Sequence, residues 1–272
     1  MILHEKNDEP WESMKSDCSK CSGLCCTALF FSKVDGFPKD KIAGKPCINL
    51  QKDYRCKIHS QLEQQKMRGC IGYDCFGAGQ QVTEIIYKGK AWDELPNQSA
   101  EIFDVFTTLF QIYQIRYFLV EASLLTFTGE LKRDIHKLIV ENVQIANCSP
   151  EKILSIDMQE YRNNINALLK KVCKLLKKML NSKDCPKDFI GKNFKGNDMS
   201  GMDFRDKLLI AANLSDCIFN GAIFLGADTR DTNFSGADLR ETIFLTQGQI
   251  NSAKGNRKTK IPTHLDYPPT WG

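Results

Sequence analysis

Apolar residues in the middle of the chain recur at helical spacing. Ile102, Phe103, Phe106, Leu109, Phe110 and Tyr113 lead into Ile115, Phe118 and Leu119, the pattern of one buried helix face. Thr128-Gly129 breaks this run, and Leu131, Ile135, Leu138 and Ile139 begin a second. Ser149 before Pro150 is a helix-start signal, with serine as cap and proline at the first helical position. It predicts a third helix running to about Leu180. Between residues 98 and 184 the only proline is Pro150 and the only glycine Gly129, so the zone reads as a helical hairpin or small bundle. Lys170, Lys171, Lys174, Lys177 and Lys178 lie opposite its apolar stripe. They read as a solvated face at a helix C-terminus, where the dipole favours cations; membrane or nucleic-acid attachment is the alternative. Cys173 borders the apolar stripe and is expected to pack rather than react.

The last third of the chain obeys a different period. Large residues recur every fifth position at Phe189, Phe194, Met199, Phe204, Leu209, Leu214, Phe219, Phe224, Phe234, Leu239 and Phe244, with Thr229 the exception. A helix needs a period near 3.6 and a flat strand needs 2, so neither fits. A period of five demands a chain that turns a corner every five residues and stacks coil on coil. Two residues before these centres stand Ala212, Cys217, Ala222, Ala227, Thr232, Ala237 and Thr242, small enough for an inward slot. Lys187, Lys192, Met202 and Lys207 fill the same slot earlier, which predicts an irregular or sealed first coil. Gly, Asp, Asn and Ser hold the corners, as turns prefer.

The region resembles the pentapeptide-repeat family, with Ala237-Asp238-Leu239 as its best match. The resemblance implies a right-handed quadrilateral β-helix of about three coils. The end of the chain, through Pro262 to Pro268-Pro269-Thr270-Trp271, reads as a cap over the open coil. Some family members mimic duplex DNA and bind DNA gyrase. From Lys187 to Thr246 this chain has seven basic and nine acidic residues, too near neutrality to imitate a phosphate array.

The first third is neither periodic nor rich in apolar runs, and its signal is sulfur. Of the 12 cysteines in 272 residues, eight fall between Cys18 and Cys75: Cys18, Cys21, Cys25, Cys26, Cys47, Cys56, Cys70 and Cys75. The polar start of the chain, Met1 to Glu9, lacks the apolar core of a signal peptide. No run approaches the ~20 apolar residues that span a bilayer. A cytoplasmic location is therefore expected, and there thiols stay reduced. Reduced thiols at C-x2-C spacing are explained by metal better than by cross-links. Four sulfur ligands suit zinc and an iron–sulfur cluster alike. Eight sulfurs exceed one tetrahedral ion, leaving two sites, one multinuclear cluster, or some thiols merely packed. His59, close after Cys56, is a further candidate ligand. Asp74-Cys75-Phe76-Gly77-Ala78-Gly79 contains a G-x-G but reads as a turn, not a nucleotide loop.

Cys18, Cys21, Gly23, Cys25 and Cys26, with Pro46-Cys47, Leu50, Cys56-Lys57-Ile58 and Cys70 to Cys75, resemble the zinc- or iron-chelating CxxxxCC proteins, the YkgJ-like group. Two departures stand out. His59 occupies the group's aromatic position, and Gln64-Gln65-Lys66-Met67-Arg68-Gly69 replaces its Arg-Pro pair.

The whole reads as a multidomain α+β chain: a Cys-rich metal-binding domain at residues 1–97, a helical segment at 98–184 and the repeat β-helix with its cap at 185–272. Net charge is only +4, which argues against nucleic acid as partner. A protein docking on the repeat surface is the expected partner, and an uncapped first coil offers a face to a second copy. No H-E-x-x-H constellation is present, and four scattered histidines leave little for acid–base chemistry. The reading is a non-enzymatic metal-binding interaction module, with an iron–sulfur or redox enzyme as its competitor.

Overall fold

A 26-residue run without proline or glycine builds the longest helix of the chain. In the computed structural model, residues 9–180, 185–186 and 188–272 are described. The α-helices are α1 (Glu9–Glu12), α2 (Leu24–Ala28), α3 (Arg68–Ile71), α4 (Ala78–Gln80), α5 (Ser99–Leu124), α6 (Lys132–Ala146), α7 (Pro150–Leu154), α8 (Met158–Leu180) and α9 (Gln247–Ser252). None of the described helices is long and apolar enough to cross a membrane. The third expected helix is divided at Ser155–Asp157. Asp157 Oδ1 accepts the N–H groups of Gln159 and Glu160, both at 2.9 Å, and so starts α8 afresh.

The described residues form two compact units: Glu9–Val120 with Arg133–Leu168, and Glu121–Lys132 with Leu169–Gly272. In the first, Ile102, Val105, Phe106, Leu109 and Ile112 of α5 are buried, as their spacing requires. A polar knot crosses this core. Arg116 Nε donates to Asn142 Oδ1 at 2.8 Å, while Asn142 Nδ2 donates to Ile112 O at 2.9 Å and to Tyr161 Oη at 3.0 Å. All three side chains are buried, so the bonds offset a desolvation that would otherwise cost several kcal/mol, on the order of 2–7 for each unmet group.

The second unit contains the five-residue repeat, and here the expected fold class is corrected. The sequence implied an α+β chain with a right-handed β-helix. Among the described residues no β-strand forms, and the regular secondary structure is helical. The repeat instead winds through turns joined by isolated parallel bridges. Asn193 pairs with Asn213, Asn213 with Asn233, Asp198 with Ile218, Asp203 with Ile223 and Leu208 with Asp228. The physical reason lies in the corners. Gly196, Gly201, Asp206, Ala211 and Asp216 have φ of 73°, 69°, 54°, 57° and 58°, a left-handed kink every five residues. One residue per side is left to pair with the next coil, and a strand needs several in succession.

The coils still bury what the spacing demanded. Phe204, Leu209, Leu214, Phe219, Phe224, Phe234, Leu239 and Phe244 are fully enclosed, beside Ala212, Cys217, Ala222, Thr232 and Ala237. Phe204 meets Phe224, one coil on, with ring centroids 5.2 Å apart. An asparagine ladder follows one edge: Asn213 Nδ2 donates to Asn193 Oδ1 at 2.9 Å, and Asn233 Nδ2 to Asn213 Oδ1 at 3.2 Å. Phe194 is only half-buried, and Lys192 is exposed. Lys187, expected in the small slot of the first repeat, lies outside the described residues. At the far end Lys254 and Lys260 continue the pairing with Asn233 and Asp238. Trp271 is buried there, donating Nε1–H to Ala253 O at 3.1 Å. The buried carboxylate of Glu121 accepts the Phe244 N–H at 2.7 Å.

Part of the lysine face of α8 serves this unit. Lys177 Nζ lies 2.5 Å from Asp203 Oδ2, and Arg205 Nη2 lies 2.7 Å from the same oxygen. Burial raises the Asp203 pKa, but the bonds from Arg205 and Lys177 outweigh it and hold the carboxyl at about 2. A depressed carboxyl contributes stability that is whole above the unfolded value of 3.8 and lost as pH falls towards 2. Asp203→Asn is therefore expected to cost about 1–3 kcal/mol at neutral pH. The gap from the parent should close between about pH 4 and 2 in urea unfolding. A gap that stays constant through that window would show that the pairing does not stabilise the fold.

Candidate metal centre

The segment holding the eight clustered cysteines has little apolar core. Between residues 16 and 77 only Leu24, Ala28, Phe37, Met67 and Phe76 are buried hydrophobics, while Phe30, Val34, Ile42 and Ile48 are exposed. Its helices span three to five residues, too short to hold themselves. Something other than apolar burial must fix this chain path.

Two short elements bring the first thiols together. Asp17 Oδ1 accepts the Ser19 N–H at 2.8 Å and caps a 3₁₀ turn over Cys18–Lys20, with Cys21 at its end. Gly23, at φ 68°, then turns the chain into α2, which carries Cys25 and Cys26. From the other side, Cys75 is held by Ser16 Oγ at 3.1 Å. Cys18, Cys21, Cys25 and Cys75 line one cavity of about 20 Å³ together with Gly79 and Phe106. Roughly 10–15 Å³ of such space holds one water-sized occupant.

The remaining thiols approach α2 from its other side. Cys47 N–H donates to Cys26 O at 2.9 Å, and Leu50 N–H donates to Cys47 O at 3.0 Å. Leu50 pairs in turn with Cys56. Cys70 lies on α3. Its thiol is pushed up to about 12, by burial first and then by the neighbouring Cys26, Cys47 and Cys56. Lys41 was not foreseen from the sequence. Its buried ammonium donates to Thr27 O at 2.6 Å and to Leu29 O, and faces Cys26, Cys47, Cys25 and Cys70. Burial lowers its pKa, while those sulfurs pull it back up. The Cys25 and Cys26 sulfurs stand 4.0 Å apart. Their hydrogen bond raises Cys25 and lowers Cys26, and Lys41 lowers Cys26 further against the effect of burial.

Backbone amides point at several of these sulfurs. Asn49 N–H approaches Cys47 Sγ at 3.5 Å. The amides of Leu24 and Gly23 beside Cys21, of Gly79 and Gly77 beside Cys75, and of Ile58 beside Cys56 each lower the thiol's pKa. Such neighbours favour the thiolate, the form that binds metal. Burial acts against it and pushes Cys21 up to about 11. Among the described residues no three Cys, His, Asp or Glu side chains already converge as an ion would require. Two features of the chain nonetheless fit a soft cation. Tyr73 Oη is buried without a hydrogen-bond partner, and its phenol faces Cys25, Cys75 and Cys21. At Gly79 a Cβ would lie 2.7 Å from Cys21 Sγ and 3.7 Å from Cys75 Sγ, so glycine keeps that sulfur cradle open.

The candidate residues from the sequence are thus placed, with differing results. The eight cysteines gather around α2, all half-buried except exposed Cys18. His59 is exposed, and its N–H donates to Cys56 O at 3.2 Å. Cys173 and Cys217 are buried core residues, and Cys217 donates to Phe194 O at 3.1 Å. Sequence reading missed Lys41 and Tyr73, which no motif marks. It took Gly79 for a turn residue, though its G-x-G setting beside Cys75 was visible.

Residues 208–244 match the pentapeptide repeats family in eight copies. The uncharacterized protein YybG of Bacillus subtilis is 37% identical over 264 residues, covering 95% of each chain. The UPF0153 protein YeiW of Escherichia coli K12 is 39% identical over 57 residues, covering 21% of this chain and 66% of its own. Both resemblances read from the sequence, to the repeat family and to a small Cys-rich family, are supported.

Gly79→Ala tests the sulfur cradle directly. The added methyl should displace Cys21, cost about 1–3 kcal/mol, and speed alkylation of Cys21 as read by peptide mass mapping. Unchanged stability and alkylation would show that the cradle has room to spare.

Proposed function

The chain belongs to the family of the Bacillus subtilis protein YybG, and we propose that it is a metal-binding module, not an enzyme, whose clustered thiols hold zinc. One observation carries the reading: eight free thiols cluster in a segment that has almost no apolar core. Bound zinc would supply the cross-links that this segment lacks, as structural zinc does elsewhere. The chain's own residues prepare for it. Gly79 keeps the cavity open, the amides of Gly23, Leu24, Gly77 and Gly79 favour thiolate, and Lys41 offsets negative charge beside Cys26.

Cys18, Cys21, Cys25 and Cys75 around one cavity are the four sulfurs that a single tetrahedral zinc takes. We leave His59 out of the ligand set, since the eight thiols already supply enough donors. The carboxylates beside the thiols hold local structure: Ser16 Oγ donates to Asp74 Oδ1 at 2.6 Å, and Asp17 caps its turn.

We take the Cys-rich region, residues 1–97, as the functional head, and the repeat as a docking surface for a protein partner in the cytoplasm. A DNA-mimic role is disfavoured by pairing within the coils. Asp203, Asp228 and Asp238 are each held by the arginine two residues on, at 2.7, 2.6 and 2.6 Å. Acidic groups neutralised in this way do not present a row of bare charges.

Purification without air, followed by metal and sulfide analysis, tests the proposal. Colourless protein with stoichiometric zinc and no inorganic sulfide is expected, with the Cys-rich region losing protection from protease on chelation. Brown protein containing sulfide would replace zinc by the redox reading, and metal-free protein with unchanged protease resistance would end both.

A further inference from the structure

Tyr73 lies between Cys70 and Cys75 in the chain. Its ring meets Phe31 edge-on, with centroids 6.3 Å apart, and Phe110 at 5.6 Å. Phe110 is one helical turn along α5 from Phe106, which lines the sulfur cavity. This aromatic packing fixes the phenol beside the cavity, where it faces Cys25, Cys75 and Cys21. Its Oη is buried and has no hydrogen-bond partner among the described residues, which is unfavourable in a folded chain. Burial, and then the charge of those sulfurs, raises its pKa well above the usual phenol value, so the oxygen keeps its proton. Tyr73 is a donor without an acceptor.

The three thiols differ in what already serves them. Amides of Gly23 and Leu24 lie beside Cys21, and those of Gly77 and Gly79 beside Cys75. Ser16 Oγ is also 3.1 Å from Cys75 Sγ. Cys25 instead donates to Cys26 Sγ at 4.0 Å, which is the role of a thiol and not of a thiolate. Once an ion displaces its proton, Cys25 can no longer donate and becomes an acceptor. A thiol accepts weakly, whereas a charged sulfur makes the stronger, charge-assisted bond.

We propose that Tyr73 is a positioning residue of the metal centre, donating its phenol O–H to the metal-bound sulfur of Cys25. This rests on the metal-binding reading and adds a residue to it. The phenol keeps its proton throughout, and only the Cys25 proton leaves, to solvent. Tyr73 thereby supports a sulfur ligand as an outer hydrogen-bond partner supports a metal-bound histidine. Its hydroxyl is unfavourable in the metal-free fold and favourable in the loaded one, so removing it acts on the two in opposite senses.

The test uses the full-length chain with Tyr73→Phe, which keeps the ring and its contacts with Phe31 and Phe110. Without metal, the variant is expected to unfold in urea no earlier than the parent. Zinc affinity, read by competition with a chromophoric chelator, should fall about 10- to 100-fold, the usual loss when a group supporting a ligand is removed. With cobalt(II) in place of zinc, the sulfur-to-metal charge-transfer band should move to longer wavelength, because a sulfur freed of its donor gives up charge more readily. A variant that unfolds earlier without metal, or fails to fold, would assign the hydroxyl to the fold and overturn the proposal. Zinc affinity or a cobalt band unchanged from the parent's would do the same, while leaving metal binding intact. A parent that binds neither zinc nor cobalt would instead fail the underlying reading, and the role of Tyr73 with it.

Discussion

Thiols crowded and half-buried have no strong attraction for one another. As thiolates they repel, and burial penalises the charge; as thiols they are weak hydrogen-bonding groups. The segment from Cys18 to Cys75 gathers eight of them while leaving Phe30, Val34, Ile42 and Ile48 in solvent. Such an arrangement is stable only if something else offsets the cost. Neighbouring amides and Lys41 supply part of the compensation, and on the proposed reading a soft cation would supply the rest.

The repeat unit solves the burial problem by the opposite means. It has no need of a cross-link, since each coil covers the apolar centres of its neighbour and aromatic rings meet edge-on or tilted from Phe189 through Phe234. Its charged corners are paired locally, and Asp203 also receives Lys177. Its surface is made of short sides whose backbone groups pair with the neighbouring coils, unlike the open rows of donors on an exposed strand. The conspicuous asparagine ladder is a structural device, fixing the register of successive coils.

Much of this was legible in the sequence where spacing controls the outcome. The five-residue recurrence of Phe204, Leu209 and Leu214 identified the buried positions, and Gly129 marked the helix break. The strands implied by family resemblance did not form, because corners such as Asp206 and Ala211 leave too little extended chain between them. Ser149-Pro150 located a helix start, but the second start at Asp157 was hidden by the apolar continuity on either side. In the sulfur region, C-x2-C spacing singled out candidate ligands, but not their neighbours in space, since Cys25 meets Cys75 and Cys26 meets Cys47 from far apart along the chain. Lys41 and Tyr73 were invisible for the same reason.

X-ray absorption at the metal edge of the purified protein tests the central claim most directly. The account predicts a zinc edge with four sulfur neighbours at about 2.3 Å and no nitrogen in the shell. An iron edge with short iron–iron distances, or a zinc shell containing imidazole nitrogen, would contradict it.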